Sequence, residues 1–201
     1  MEWMQELELV LASSSPRRIA LMREMGFRFE VIPADIDEDG FSHLEPYRQA
    51  MAIAEAKAKH VLTHHDIGRR WVLAADTIVV LKDRVLGKPG DKRTAYRMLA
   101  SLSGQKHTVI SGVVIYCEGR YYRFHEATDV LFRPLVHEEI EYYLEKYRPY
   151  DKAGAYGIQD WIGLTKIASI RGSYSNVVGL PTEKVYTFLQ QLWQVHRSPM
   201  Q

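Results

Sequence analysis

Four short segments of this chain combine residue types that could do chemistry. The first is Ser13-Ser14-Ser15-Pro16-Arg17-Arg18, where an apolar run gives way to a helical one. A helix start presents unpaired N–H groups and the positive end of the helix dipole, and serines and a proline suit it. Arginines in a first turn oppose that dipole. They make sense if an anion sits there, and a phosphate would match both the helix end and the guanidinium forks. The alternative is an ordinary Ser-Pro helix start with solvated arginines.

The second segment is Asp76-Thr77, followed by Gly87-Lys88-Pro89. Asp76 closes an apolar strand, at the kind of strand end where α/β sites gather. A hairpin turning at Lys82-Asp83 would set Leu81 opposite Arg84 and Thr77 opposite Lys88, bringing Lys88 beside Asp76. Such a pair could hold a metal, activate water and grip a phosphate; a surface ion pair is the plainer reading. Gly87-Lys88 is not a phosphate-binding P-loop, because the upstream glycine is missing and Pro89 replaces the Ser/Thr that would ligate magnesium. The third segment holds Asp35, Asp37, Glu38 and Asp39, hard carboxylates suited to Mg²⁺ or Mn²⁺, or else a solvated acidic loop. The fourth is Asp151–Gln159, whose glycines let backbone approach a ligand and whose Gln159 amide could read a base edge. A flexible connector would look the same in composition.

Other candidates fail on spacing. His137-Glu138 is not a zinc helix, since Glu141 stands where the second histidine would be. His64-His65 reads as a solvated helix end. Cys117 lies inside an apolar strand pattern and belongs to a core.

The elements that must carry these segments follow from periodicity. Strands are expected at Leu7–Ala12, Phe27–Ile32, Trp71–Ala75, Ile78–Leu81, Arg84–Leu86, His107–Cys117, Tyr121–Phe132 and Leu164–Ile170. Helices are expected at Arg17–Met25, Leu44–His64, Asp91–Leu102, Glu138–Tyr147 and Pro181–Trp193, with Asp91 as a cap and Gly26 and Gly104 as stops. Asp151–Gly163 reads as glycine-rich loop. The interleaving makes the class α/β, and the hairpins require a mixed β-sheet with flanking helices.

Composition narrows the partners. The 201 residues hold 26 Lys+Arg against 25 Asp+Glu, a net charge of +1, with 46% hydrophobic and 25% charged residues. That is globular composition without the apolar poverty of disordered chains. Near-neutral charge and no basic tract argue against nucleic acid as a partner. No apolar run approaches the roughly 20 residues that span a bilayer, so no membrane partner is expected. The N-terminus carries Glu2, Glu6 and Glu8 and lacks the pattern of a signal peptide. A single cysteine cannot form an internal disulfide, and a reducing, cytoplasmic setting fits.

Taken in order, LASSSPRR, AADTIVV with LGKP behind it, MLASLSGQKHTVISGV, DKAGAYGIQ and GSYSNVVGLP resemble the Maf family of nucleoside triphosphate pyrophosphatases. The resemblance runs from about Leu9 to about Leu192. It implies one domain over residues 1–201, related in architecture to inosine triphosphate pyrophosphatases, with two lobes around a cleft. The implied reaction is hydrolysis between the α and β phosphates, giving a monophosphate and pyrophosphate, with a divalent cation, Mg²⁺ or Mn²⁺, as cofactor. AYGIQ and NVVGLP look like the branch that prefers dTTP and UTP, often a homodimer, rather than the branch acting on 7-methyl-GTP.

By the same resemblance Asp76 matches the proton acceptor. Arg17, Thr77 and Gln159 match positions tied to base preference, and Ser13 and Arg18 belong to the phosphate-gripping motif. Lys57 and Lys88 match the site lysines. The acidic metal position falls at Asp37 or Glu38, with Asp76 as a further ligand. After Gln159 this chain reads Asp160-Trp161-Ile162-Gly163 where many relatives have a glycine directly, so a bulkier loop is expected. A nucleotide-binding regulator of cell division, using the same residues without turnover, is the competing function; the presence of Asp76 favours the enzyme.

Overall fold

The computed structural model describes residues 2–197. Its elements, in chain order, begin with α1 (Trp3–Glu6), β1 (Leu9–Leu11), α2 (Pro16–Glu24), β2 (Phe29–Val31) and α3 (Pro46–His64). Next come β3 (Trp71–Leu81), β4 (Arg84–Leu86), α4 (Lys92–Leu102), β5 (Lys106–Cys117), β6 (Arg120–Phe132) and α5 (His137–Tyr147). The chain ends with α6 (Trp161–Lys166), β7 (Ile167–Arg171), α7 (Tyr174–Val178) and α8 (Thr182–Arg197). The seven strands form one mixed sheet in the order β2-β1-β3-β5-β6-β7, with β4 paired to β3. β1 runs parallel to β2 and to β3, while β4 and β7 pair antiparallel with their neighbours.

The chain divides into two compact units. One holds the residues up to Asp76, Ser111–His125 and the stretch from Gly179 onward; the other holds Thr77–Ile110 and Glu126–Val178. In the first unit, strand alternation sorts the core. Leu9, Leu11, Leu73, Val113 and Ile115 pack with Met22 of α2 and Leu189 of α8. Val10, Val72, Ala74 and Val114 pack with Ala54, Ala58 and Val61 of α3. Successive strand side chains point to opposite faces, so Asp76 shares the α3 face with Val72 and Ala74. α3 lies close to the sheet: a Cβ on Gly112 of β5 would come within 2.4 Å of the Ala50 carbonyl carbon. In the second unit, Val79, Leu99, Val109, Val130, Phe132, Tyr143, Leu144 and Tyr156 belong to one core.

Several expectations are corrected. Trp71–Ala75 and Ile78–Leu81 are not two strands: β3 is continuous, and Asp76 lies inside it rather than at an end. Aspartate is depleted in strands because it is costly to bury, and here a buried cation offsets that cost (below). The hairpin does turn at Lys82-Asp83, both left-handed with φ of 48° and 65°. Its pairs are Leu81↔Arg84, Val80↔Val85 and Val79↔Leu86, the expected register, and the β4 strand ends at Leu86, before Lys88. The expected strand Leu164–Ile170 begins as helix α6 and becomes strand only at Ile167. Asp160 starts that helix: its carbonyl accepts from Gly163 N and Leu164 N at 3.0 and 3.2 Å. α1 and α7 are additional helices. Asp91 caps α4 as expected, accepting from Thr94 N at 2.7 Å.

Candidate active site

The first unit brings six of the sequence candidates, Ser13, Arg17, Arg18, Glu38, Lys57 and Asp76, into one neighbourhood. Lys57 occupies the buried stripe of α3, with Ala50, Ile53, Ala54, Ala58 and Val61 at helical spacing around it. A lysine there must meet a counter-charge or be expelled. It meets two: its Nζ donates to Asp76 Oδ1 at 2.7 Å and lies 2.7 Å from Glu38 Oε1. The Lys57 and Asp76 side chains are each 9% exposed and Glu38 is 33% exposed, so one carboxylate is locked in and the other is in part open to solvent.

Arg18, in the first turn of α2, is also buried. Its Nε donates to the Gly179 carbonyl at 2.8 Å and its Nη1 to Ser13 Oγ at 3.3 Å. Ser13 Oγ in turn accepts from Ser15 N at 3.2 Å, bracing the loop before the helix. Burial pulls the Arg18 pKa below its ordinary value; the Asp76 and Glu38 carboxylates act against that, and Arg17 adds to the lowering. Arg18 therefore shares one electrostatic environment with Arg17, Asp76 and Glu38, and Lys57 joins it through its contacts with the two carboxylates. Cations at a helix start are the setting in which an anion such as a phosphate binds.

Asp37 and Glu38 part company. Asp37 Oδ1 accepts from Asp39 N at 3.0 Å in an exposed turn, whereas Glu38 reaches Lys57. Among the described residues no group of three or more His, Cys, Asp or Glu comes together as a metal cage. Two hard carboxylates converging on one ammonium are a different arrangement. They fit an Mg²⁺-type ion, which commonly takes one or two carboxylates and completes its shell with substrate phosphates and water.

Thr77, Lys88 and Gln159 belong to the second unit. Thr77 follows Asp76 in β3. Gly154 N donates to the Gly87 carbonyl at 3.1 Å, tying the Lys88 segment to the loop that carries Gln159. That loop is not a flexible connector. Gly154–Ile158 are buried and Gln159 is exposed. Tyr156 Oη pairs with His107 Nε2 at 2.7 Å, and its ring meets those of His107 and Phe132 edge-on. Gly157 N donates to Tyr143 Oη at 3.1 Å, and that hydroxyl donates to Asp160 Oδ2 at 2.6 Å. The bulkier segment after Gln159 is helix α6, whose Gly163 admits the Ile158 peptide where a Cβ would come within 1.9 Å of the Ile158 oxygen.

Sequence reasoning missed the Gly179 carbonyl, Tyr143 and His107. The available signals were the GSYSNVVGLP stretch, read for the family and branch but with no single residue of it placed in the site, and tyrosine and histidine in otherwise apolar patterns.

The family profile described as Maf-like protein matches residues 8–192. The dTTP/UTP pyrophosphatase of Thermosipho africanus is 44% identical over 183 residues, covering 91% of this chain and 92% of that protein. Those of Carboxydothermus hydrogenoformans and Parabacteroides distasonis are 42% and 41% identical, covering 92% and 94% of this chain and 98% of each relative. A solved HAM1 protein from Coxiella burnetii is 15% identical with a TM-score of 0.45, covering 92% of this chain and 99% of that one. With a profile spanning nearly its whole length and relatives of this identity end to end, the chain belongs to the Maf family.

Proposed function

We propose that this protein hydrolyses nucleoside triphosphates, dTTP and UTP in preference, to the nucleoside monophosphate and pyrophosphate. The observation that carries the reading is Lys57 Nζ held 2.7 Å from both Asp76 and Glu38 in the electrostatic environment of Arg18. It is supported by the dTTP/UTP pyrophosphatase relatives that match this chain from end to end.

In this reading Ser13, Arg17, Arg18 and the start of α2 receive phosphate oxygens through charge and backbone N–H groups. Lys57 adds to that charge, and Lys88 is the second lysine that the family resemblance assigns to the reaction. Asp76 accepts the proton of the water that attacks the α phosphorus, and the bond from that phosphorus to the bridging oxygen breaks as pyrophosphate leaves. Lys57 holds the Asp76 carboxylate in one orientation and offsets its charge against the incoming triphosphate. Arg17, Thr77 and Gln159 take part in base preference, the Gln159 amide being able to donate to and accept from a pyrimidine edge. Glu38 and Asp76 are the residues that would hold Mg²⁺ or Mn²⁺. When bound, the ion supplies polarisation of the phosphoryl oxygens and a lowered pKa for bound water.

The protein acts in the cytoplasm as a homodimer, with no nucleic-acid partner. A net charge of +1 and a single, buried cysteine support the setting and the partner statement; the homodimer rests on the family resemblance. No helix among the described residues is long and apolar enough to cross a membrane.

The test is a panel of dTTP, UTP, CTP, 7-methyl-GTP and purine triphosphates with Mg²⁺ or Mn²⁺. Pyrophosphate and orthophosphate are quantified separately, with Asp76→Asn as control. Pyrophosphate from dTTP and UTP, lost in the control, is the expected result. Binding without release of either product would replace the enzyme with the regulatory binder.

A further inference from the structure

We propose that the Tyr143 hydroxyl is a positioning device for Gln159 that sets base discrimination through Asp160 and the Gly157 amide. The inference rests on the reading of Gln159 given above and adds residues that the resemblance does not supply.

The geometry is a two-sided clamp around an exposed side chain. Tyr143, on α5, is fully buried, and its ring stacks on Tyr147 at 5.1 Å between centroids. Its hydroxyl accepts from Gly157 N, two residues before Gln159, and donates to Asp160 Oδ2, one residue after it. Asp160 N also donates to the Gly157 carbonyl at 3.1 Å, closing the same short loop through its backbone. Gly157 has to be glycine for this: a Cβ there would stand 2.6 Å from Asp160 Oδ2. Asp160 is the N-cap of α6, a position whose side chain usually caps the helix, yet it makes no side-chain cap bond and turns its carboxylate to Tyr143 instead. A cap given up for a bond to a buried phenol indicates that holding the loop matters more here than closing the helix.

An exposed amide can read a base edge only if its backbone is fixed; a hydrogen-bonding site discriminates because the wrong partner leaves its groups unpaired, and a loose loop removes that penalty. Removing the hydroxyl should therefore cost discrimination and leave phosphate chemistry intact.

The test uses the full chain as wild type, Tyr143→Phe, Asp160→Ala, Asp160→Asn and the Tyr143→Phe/Asp160→Ala pair. The value of kcat/KM is measured for dTTP and for ATP, together with inhibition by inorganic tripolyphosphate, which has no base. Tyr143→Phe and Asp160→Ala should each lower the dTTP-to-ATP ratio roughly tenfold through KM, with kcat changed less than about twofold. Tripolyphosphate inhibition should not move. Asp160→Asn keeps an acceptor for the hydroxyl and should keep the ratio, and the double variant should be no worse than either single one. If Tyr143→Phe does not fold, Asp160→Ala carries the comparison. A ratio unchanged in the folded variants overturns the inference, as does tripolyphosphate inhibition weakening in step with KM. A wild type that turns over no nucleotide would count against the proposed reaction instead. The clamp is then read from dTMP and AMP binding in wild type and Asp160→Ala, and an unchanged preference there overturns it.

Discussion

Lys57 Nζ and Asp76 Oδ1 are 2.7 Å apart, each on a side chain 9% exposed. Helical spacing on α3 and strand alternation on β3 turn both residues into the same layer. A buried pair of this kind costs little while both members remain and much when one is removed. Asp76→Asn keeps an oxygen for Lys57 to donate to, whereas Asp76→Leu leaves the ammonium with Glu38 only. In urea denaturation we expect Asp76→Leu to lose about 3 kcal/mol and Asp76→Asn less than half of that. In pyrophosphate release both variants should fall by roughly a thousandfold. An Asp76→Asn protein that unfolds as early as Asp76→Leu would show that the carboxylate's charge, not its hydrogen bond, supports the fold.

Arg18 divides its guanidinium between the Gly179 carbonyl and Ser13 Oγ. Lysine carries the same charge but cannot span two fixed acceptors in one plane. For Arg18→Lys we expect KM for dTTP to rise roughly tenfold and stability to drop by about 1 to 2 kcal/mol. Arg17→Ala, on a half-buried neighbour, should weaken substrate binding while shifting stability by less than about 0.5 kcal/mol. Steady-state kinetics with a thermal melt on the same samples checks both, and equal melting losses for the two variants would contradict the division of labour.

The contrast between these groups shows what could be read beforehand. Arg17-Arg18 were legible as cations at the wrong end of a helix, whereas Lys57 was reached only through the family resemblance, because an alanine- and lysine-rich helix does not show which lysine turns inward. The hairpin and its turn were legible from Lys82-Asp83 between two apolar runs. The position of Asp76 inside β3 was not, because local propensity treats aspartate as a strand end and cannot see the lysine that makes burial tolerable. Nor was the choice between Asp37 and Glu38, since adjacent residues in an acidic loop differ only in where the loop turns. The Leu164–Ile170 segment misled for a related reason: Leu164 and Ile167 suit a strand, but Asp160 and the Gly163 contact with Ile158 start a helix first.

His107 offers a pH-dependent readout. Burial lowers its pKa from 6.5 to about 4, against the raising influence of the Gln105 backbone and the Asp129 carboxylate. The folded state thus prefers the neutral ring, while the unfolded chain takes up a proton near pH 6.5. Between those values the unfolded state binds more protons, so stability is full above about pH 6.5 and declines as the pH falls toward 4. The decline attributable to this residue is about 3 kcal/mol. His107→Gln can still pair with Tyr156 but does not titrate, and should lose that part of the slope. Chemical denaturation between pH 7 and pH 4 measures it; parallel profiles for wild type and His107→Gln would mean that other groups govern the acid limb.

Gly112 tests whether the seating of α3 matters to the site as well as to the fold. An added Cβ would meet the Ala50 carbonyl carbon at 2.4 Å and Met51 N at 2.5 Å, both backbone atoms that cannot swing aside. Gly112→Ala must therefore push α3 from the sheet or strain β5, and overpacking of this kind costs typically about 1 to 3 kcal/mol. Lys57 lies two turns along the same helix, and its bond to Asp76 has no slack at 2.7 Å. The displacement should reach it, lowering kcat severalfold in whatever fraction remains folded. Gly87→Ala supplies the control, since nothing lies within 4 Å of a Cβ at that position, and its stability should stay within about 0.5 kcal/mol of wild type. Activity is measured at a temperature where Gly112→Ala is fully folded by circular dichroism. A normal kcat there would mean that β5 absorbs the strain and the ion pair is insulated from the seating of its helix.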